Sequence, residues 1–438
     1  MANLLGTLNS AMSGMNASQV AIQTSSHNIS NINTPGYTRQ RVEQSANRPY
    51  SQPGYNSSLG AGQLGTGAQI TDVIRIRNTF YDYQYRSESH SYGETSVKYD
   101  YYTNMENIFN EPSDTSISSA INKFFNGWQE LSKDPNSTGA KNIVVENAKY
   151  LSNTVNQVYK KLESLKESAS SQAENIINDI NNKLDSLNDL EENIKIVQAQ
   201  GKSPNDLLDE RDKILDELSF KIDLNDENVQ NAINDGKLTM DEIQDADGQI
   251  ILKTSGELFG ILEMSKEIDS YKETIGNLMD GISEGVNSIY GEGDPDIFIF
   301  EIEKDENGNT NGLKVNEDLI SDASKLNVTS DKALELYDLK DKKIEIGEDG
   351  SKQNITIDNF YNELIQQLGH STEEVIRVES NQSKLLDSIE NSRLSVSAVS
   401  MDEEMVNLIQ LQHTYSANAK VISTIDSLLE VVVNGLIK

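Results

Sequence analysis

Ser400-Met401-Asp402-Glu403-Glu404-Met405-Val406-Asn407-Leu408 opens a stretch, running to Lys438, in which apolar residues recur at every seventh position. Met401, Leu408, Tyr415, Ile422, Leu429 and Leu436 form one row, and Leu411, Asn418, Ile425 and Val432 form the other. Two interleaved rows of this kind make a seam along one side of an α-helix that lies against other helices. Ser400, followed three residues later by Glu403, reads as a capping box. Asp402, Glu403 and Glu404 add negative charge at the positive end of the helix dipole. Leu428, Leu429, Val431, Val432 and Val433 leave little polar face in the last turns, which implies burial all round. Helices in water draw most of their stability from packing, so this one requires a partner.

The opposite end of the chain repeats the pattern in weaker form. Leu8, Met15, Ile22 and Ile29 fall at seven-residue steps, with Leu5, Met12, Gln19 and Ser26 at the complementary positions. Ala11, Ser13, Gly14, Ala17, Ser18, Ala21 and Ser25 fill the rest, which permits close helix contact but makes a poor helix on its own. Asn31-Ile32-Asn33-Thr34-Pro35-Gly36-Tyr37 then reads as a helix stop and a turn, Pro35 barring continuation and Gly36 supplying positive φ.

The charge distribution separates these ends from what lies between them. Of 438 residues, 70 are acidic and 37 are lysine or arginine, a formal charge of −33. Residues 1–60 hold Arg39, Arg41 and Arg48 against Glu43, a formal +2. Residues 400–438 hold Lys420 and Lys438 against Asp402, Glu403, Glu404, Asp426 and Glu430, a formal −3, so the middle carries −32. A field of this sign argues against nucleic acid and anionic membrane as partners. The chain has no cysteine, which excludes a disulfide-stapled fold and thiolate chemistry. Met1–Ser10 lacks the basic and apolar regions of a cleavable signal peptide, and no apolar run approaches the ~20 residues that span a bilayer. The expectation is a soluble protein whose export, if any, is unconventional.

Ser26-His27-Asn28-Ile29-Ser30-Asn31-Ile32-Asn33-Thr34-Pro35-Gly36-Tyr37-Thr38-Arg39-Gln40 resembles the N-terminal signature of the bacterial flagellar rod, hook and hook-associated proteins. Val399–Leu408, Gln412, Tyr415, Ala417-Asn418-Ala419-Lys420-Val421-Ile422-Ser423-Thr424 and Leu428-Leu429 are similar to the C-terminus of the same family. Tyr37-Thr38-Arg39-Gln40 and the long helical middle look more like the hook-associated branch than the hook or rod proteins, which resemble this chain only at the ends. The resemblance implies a structural subunit outside the cell, at the junction of hook and filament. Its two termini, disordered in the monomer, would pair as coiled-coil helices in a tubular polymer. It further implies as partners other copies of the chain, the hook protein, the filament-side hook-associated protein 3, and an export chaperone on the C-terminal helix. The residues it marks for polymer contact are the two seams, and for the turn Asn31, Asn33, Thr34, Pro35, Gly36, Tyr37 and Arg39.

Between the ends, the fold class reads as mainly α with a small β-containing inserted domain. Residues 44–68, rich in Gly, Ser, Asn and Pro, read as a linker or extended arm. Ile70, Ile74 and Ile76, interleaved with Arg75 and Arg77, read as a short strand. From about Ala140 to Gln200, Leu151, Val155, Val158, Leu162, Ile176, Ile180, Leu184, Leu187 and Ile194 keep helical spacing, and sixty such residues extend roughly 90 Å. Gly201 ends that helix, and Ser203-Pro204 restarts the next as N-cap and N1. Ile250–Leu252 after Asp247-Gly248, Ile297–Phe300 before Asn307-Gly308, Leu313–Val315 and Ile344–Ile346 read as strands. Leu258–Tyr290 and Ile357 to about Arg393 read as helices, with a break over Ser392–Val399. The expected domains are terminal polymer-core segments 1–60 and 396–438, a helical rod domain 61–220 and 344–395, and a mixed insertion 221–343 whose helix 258–290 packs back on the rod.

No catalytic constellation emerges. His27, His90, His370 and His413 have no mutual metal spacing, and the zinc-protease, nucleophile-elbow and phosphate-loop motifs are missing. Asp305, Asn307 and Asn309 match the first ligands of a calcium loop, but Thr310 and Asn316 stand where Gly and Glu belong, so a polar hairpin turn is the better reading. Trp128 reads as a packing residue, and no cofactor is expected. A secreted enzyme carried on such termini would need its chemistry in Lys221–Lys343, where none is found. The carboxylates read as a solvated face.

Overall fold

The computed structural model describes residues 2–47, 65–234, 237–244, 250–251, 254–291, 297–305, 308–347 and 352–435. The expected turn residues Asp247, Gly248 and Asn307, most of the 44–68 linker, and Leu252, Leu436 and Lys438 lie outside them.

In chain order, helix α1 (Ala2–Ser30) leads through a turn into strands β1 (Gln40–Ala46) and β2 (Ala68–Arg75). Four helices follow: α2 (Thr79–Phe109), α3 (Ile117–Lys133), α4 (Thr138–Ala199) and α5 (Asn205–Lys221). Short helices α6 (Glu227–Asn234) and α7 (Met240–Ile243) precede the long α8 (Glu257–Tyr290). Then come β3 (Phe300–Lys304), β4 (Thr310–Val315), α9 (Glu317–Ser321), α10 (Ser330–Asp338), β5 (Ile344–Ile346) and β6 (Gln353–Ile355). Helices α11 (Ile357–Ser397) and α12 (Met401–Gly435) close the chain. The fold is mainly α-helical with small antiparallel two-stranded sheets, β1–β2, β3–β4 and β5–β6. No helix among the described residues is long and apolar enough to cross a membrane.

Two compact units divide the chain. One comprises Met1–Ser89, Asn181–Ser219 and Lys384–Lys438, the other His90–Ile180 and Phe220–Ser383. The stretch 221–343 thus shares its unit with residues 90–180.

The second unit holds the larger apolar core. Helix α3 starts where the Ser116 side chain accepts from the Ser119 N–H, and it buries Ile117, Ile121, Phe124, Phe125, Trp128 and Leu131 completely. Phe124 stands edge-on to Trp128, with ring centroids 6.1 Å apart, and meets Phe300 of β3 at 5.3 Å. Trp128 is a packing residue, as read from the sequence. The β3–β4 ribbon has two outer edges that would otherwise leave backbone groups unpaired. Asn287 of α8 donates to the Phe300 carbonyl (2.7 Å) and accepts from Ile299 N (2.9 Å). Asn156 of α4 does the same for Leu313, donating to its carbonyl (2.8 Å) and accepting from its N–H (2.9 Å). Two asparagine side chains therefore act as short surrogate strands.

Several local expectations are corrected. Residues 40–46, the last three of them read as linker, form a strand because β2 offers a partner whose pairing outweighs the polar Gln40-Arg41-Val42-Glu43 pattern. The strand expected at Ile297–Phe300 begins only at Phe300, and Ile250 contributes an isolated bridge to Gln244 rather than a strand. Helix α10 gives little sequence signal because its buried apolar face is only Ala333 and Leu336. Helix α5 begins at Asn205, with the Pro204 carbonyl accepting from Leu208 N. The Ser203 hydroxyl donates to Asp72 Oδ2 instead of capping. Helix α11 continues to Ser397, so the break before α12 shrinks to residues 398–400. Helix α4 runs unbroken, and Gly201, with φ 74°, follows its end.

Candidate assembly interface

The turn after α1 is built around one buried amide. Asn28 donates through Nδ2 to the Gln40 carbonyl (2.9 Å), while its Oδ1 accepts from Gln40 N (3.0 Å) and from the Tyr37 hydroxyl (2.7 Å). His27 Nδ1 lies 3.0 Å from the same hydroxyl. Because the hydroxyl hydrogen is committed to Asn28, His27 Nδ1 must be the donor to Tyr37, which fixes its tautomer. Burial, and then the charges of Asp206, Asp209 and Glu404, push the Tyr37 phenol above its ordinary value, so it keeps the hydrogen it donates. Within the turn, Asn31 Nδ2 donates to the His27 carbonyl and Thr34 Oγ1 to Asn31 Oδ1. Gly36 adopts φ 83°, and Asn33 and Pro35 are exposed.

The same segment ties the two ends of the chain together. Arg39 N donates to the Ser397 carbonyl (2.9 Å). Its guanidinium grips the first turn of α12, Nε to Glu404 Oε1 at 2.8 Å and Nη1 to Glu403 Oε2 at 2.9 Å. Glu404 is buried, so this charge-assisted bond is stronger than a surface pair. The structure sends Glu403 to Arg39 rather than back to the Ser400 N–H, so the expected capping box does not form.

Beyond that clasp, α1 and α12 pack along each other. On α12 the inward positions are Glu404, Leu411, Asn418, Ile425 and Val432, with Leu408, Ile422 and Leu429 half-buried beside them. Tyr415 is more exposed, and Met401 is exposed where Glu404 takes the inward place. On α1 the buried face is Ala11, Ser18 and Ser25 with Ala21 and Asn28, and Gly14 lies against Asn418. Leu8, Met15, Ile22 and Ile29 lie half-buried one position further round, and Leu5 and Met12 are 52% and 45% exposed. Small side chains of α1 therefore face large ones of α12.

A second feature has no plain signal in the sequence. Asp209, Asp212 and Asp216 lie on one face of α5 and are met by arginines from three other elements. Arg75 Nη1 pairs with Asp209 Oδ1 at 2.7 Å and with Asp212 Oδ2 at 2.9 Å. Arg77 is within 3.5 Å of Asp212 and within 2.7 Å of Asp82. Arg86 and Arg393 reach Asp216 at 2.7 and 2.6 Å, and Arg393 stacks on the Tyr85 ring 4.2 Å from its centroid. Burial opposes ionisation of Asp212, but Arg77, Arg75 and Arg211 outweigh it and hold the carboxyl below its ordinary value. Asp209 also accepts from Thr38 N (2.9 Å), which joins this network to the turn. Among the described residues, no group of three His, Cys, Asp or Glu side chains is placed to hold a metal ion.

Comparison with known proteins gives three matching family models. Residues 8–38 match the family model described as flagella basal body rod protein, and residues 390–435 match that for the C-terminal region of the basal body rod FlgEFG proteins. Residues 102–242 match the helical domain of flagellar hook-associated protein FlgK. The chain belongs to the flagellar rod and hook axial protein family. Within that family it is of the hook-associated protein 1 type: that protein of Bacillus subtilis is 29% identical over 98% of both chains. The Escherichia coli protein of the same name is 23% identical over 98% of this chain and 99% of its own, and that of Salmonella typhimurium 27% identical over 65% and 56%. A solved structure of the flagellar hook junction protein FlgK from Burkholderia pseudomallei aligns at TM-score 0.40 with 19% identity, covering 50% of this chain and 47% of that one, a likeness that supports no inference.

Proposed function

We propose that this chain, a structural axial protein of the flagellum, polymerises through its paired terminal helices into the junction between hook and filament. The observation that carries the reading is the outer face of α12. Val406 and Val431 are 63% and 70% exposed, and Met405, Ile409, Val421, Leu428 and Val433 are exposed with them. Exposed apolar side chains in this number, spread over the outer side of one helix of an otherwise strongly charged chain, mark a contact surface. The neighbours in such a layer are further copies of the chain, the hook protein on one side and hook-associated protein 3 on the other. Before assembly the same exposed face needs cover, which an export chaperone docked on α12 provides. The acidic middle keeps the exported subunit dispersed and faces the medium outside the cell.

The decisive experiment is genetic. A strain lacking the chain should show hooks without filaments in electron micrographs and release flagellin into the medium, and the intact gene should restore filaments. Normal filaments in the deletion strain would refute the assignment.

The terminal segments 1–60 and 396–438 serve in this reading as the polymer core, pair only marginally in the monomer, opening often enough to be cleaved, and are held fast on assembly. What supports it is the sparse burial in the pair: among the described residues, the apolar side chains buried in it are Ala11, Ala17, Ala21 and Ile425. Limited proteolysis of dilute monomer should accordingly trim the chain to roughly Ser45 and Ser397 and leave the middle folded. Ends as resistant as the middle would contradict it.

A further inference from the structure

Two points of contact fix how α1 and α12 lie. At one, the start of α12 meets the segment just after α1: Arg39 bonds Glu404, and Asn28 at the end of α1 holds the neighbouring Gln40. At the other, two heptads further along, the Gly14 position lies against Asn418, whose Nδ2 would stand 3.0 Å from a Cβ built there. Moving from Asn28 back to Gly14 covers as many residues as moving from Glu404 forward to Asn418. The helices are therefore antiparallel, and one register satisfies both contacts.

Gly14 is the position on the buried face of α1 that lacks a Cβ; Ala11, Ser18, Ala21, Ser25 and Asn28 supply the rest. Asn418 is the polar member of a row whose neighbours are Leu411 and Ile425. A slip of one heptad would press the Asn418 amide onto Ala21 or Thr7, where a side chain already occupies the space. It would also separate Arg39 from buried Glu404. A single polar residue in a seam is known to select register at some cost in stability.

We infer that Gly14 and Asn418 form a steric and polar lock that sets the register of the terminal helix pair, with the Arg39–Glu404 clasp as its second anchor. Both are positioning residues: they fix the axial offset of α12 against α1, and with it the height along the pair at which the outer-face side chains meet a neighbour. The lock stands on the pairing seen within one chain and holds whichever neighbour the outer face takes.

The absence of cysteine makes the register directly readable. In the native register, Ser25 stands opposite Leu408; after a one-heptad slip it faces Tyr415. Full-length chain carrying Ser25→Cys with Leu408→Cys is oxidised with copper phenanthroline, and the internal disulfide is scored by mobility on a non-reducing gel. A second chain carries Ser25→Cys with Tyr415→Cys. The native pair should cross-link at least tenfold more than the slipped pair. Adding Asn418→Leu should bring the two yields within about twofold. Gly14→Ala should lower the native yield, and Asn418→Ala on top of it should restore that yield, since the smaller side chain makes room for the new Cβ. An unchanged ratio with Asn418→Leu would overturn the lock. So would additive losses from Gly14→Ala and Asn418→Ala, or no cross-link from either pair in the parent chain. Circular dichroism on each variant identifies any that fail to fold, in which case the glycine and alanine variants alone decide.

Discussion

Asp212→Asn is expected to destabilise the unit built from the chain ends and α5 by about 3–5 kcal/mol, because it leaves buried guanidinium groups facing a neutral amide. Asp212 is buried and takes Arg75 at 2.9 Å and Arg211 at 3.1 Å, with Arg77 and Arg86 both at 3.5 Å. At about 2–4 °C per kcal/mol, the melting temperature read by calorimetry should fall by roughly 6–20 °C. Glu217→Gln is the control: its partner Lys183 lies at 2.5 Å, but the glutamate is 42% exposed, so at most about 1 kcal/mol is at stake. A loss no larger than the control would mean that the arginines gain as much from solvent as from Asp212. The effect also has a pH signature. The folded carboxyl is held below its ordinary value, and an unfolded aspartate titrates near pH ~3.9. The stabilisation is thus fully present above about pH 4 and lost as pH falls below it, through the folded value. The gap between parent and variant should be constant from neutral pH down to about 5 and close in stronger acid.

Removing residues 428–438 is expected to abolish filament formation while leaving the folded middle intact. The segment carries exposed Leu428, Val431 and Val433, whereas the buried clasp at Glu404 and the buried Ile425 precede it. The truncated chain should therefore show the parent's main thermal transition, yet complement a deletion strain no better than an empty vector, with bare hooks in micrographs. Filaments at the parent's frequency would show that the outer face of the last turns is dispensable.

The seam of α12 was legible because its positions are large and apolar, and periodicity is read most easily from such residues. Helix α1 was legible as a helix, but its inner face was not. The eye follows Leu8, Met15, Ile22 and Ile29, whereas the face turned to α12 is the row one position earlier, Gly14, Ala21 and Asn28. A helix facing Leu408, Leu411, Tyr415 and Ile422 must offer small side chains if the axes are to approach, and small side chains carry almost no hydropathy signal. The ion network was hidden for a different reason. Asp209, Asp212 and Asp216 have the spacing of one helix face, but in a chain of charge −33 such a face reads as solvated. The available cue was Arg75 and Arg77 alternating with Ile74 and Ile76, basic side chains on the face of a strand otherwise fit for burial. Tyr37 and Arg39 stood out only through family resemblance; no local pattern says that a buried glutamate 365 residues away will receive the arginine.

That separation bears on how the chain is made. Ribosomes add about 5–20 residues per second, so α1 emerges roughly 20–70 s before Glu404 exists to meet Arg39. For that interval the first helix has no mate, and a face of leucines would be a hazard to a nascent chain. Alanine, serine and glycine on the inner face let it wait in water, and the bulky half of the contact is translated last.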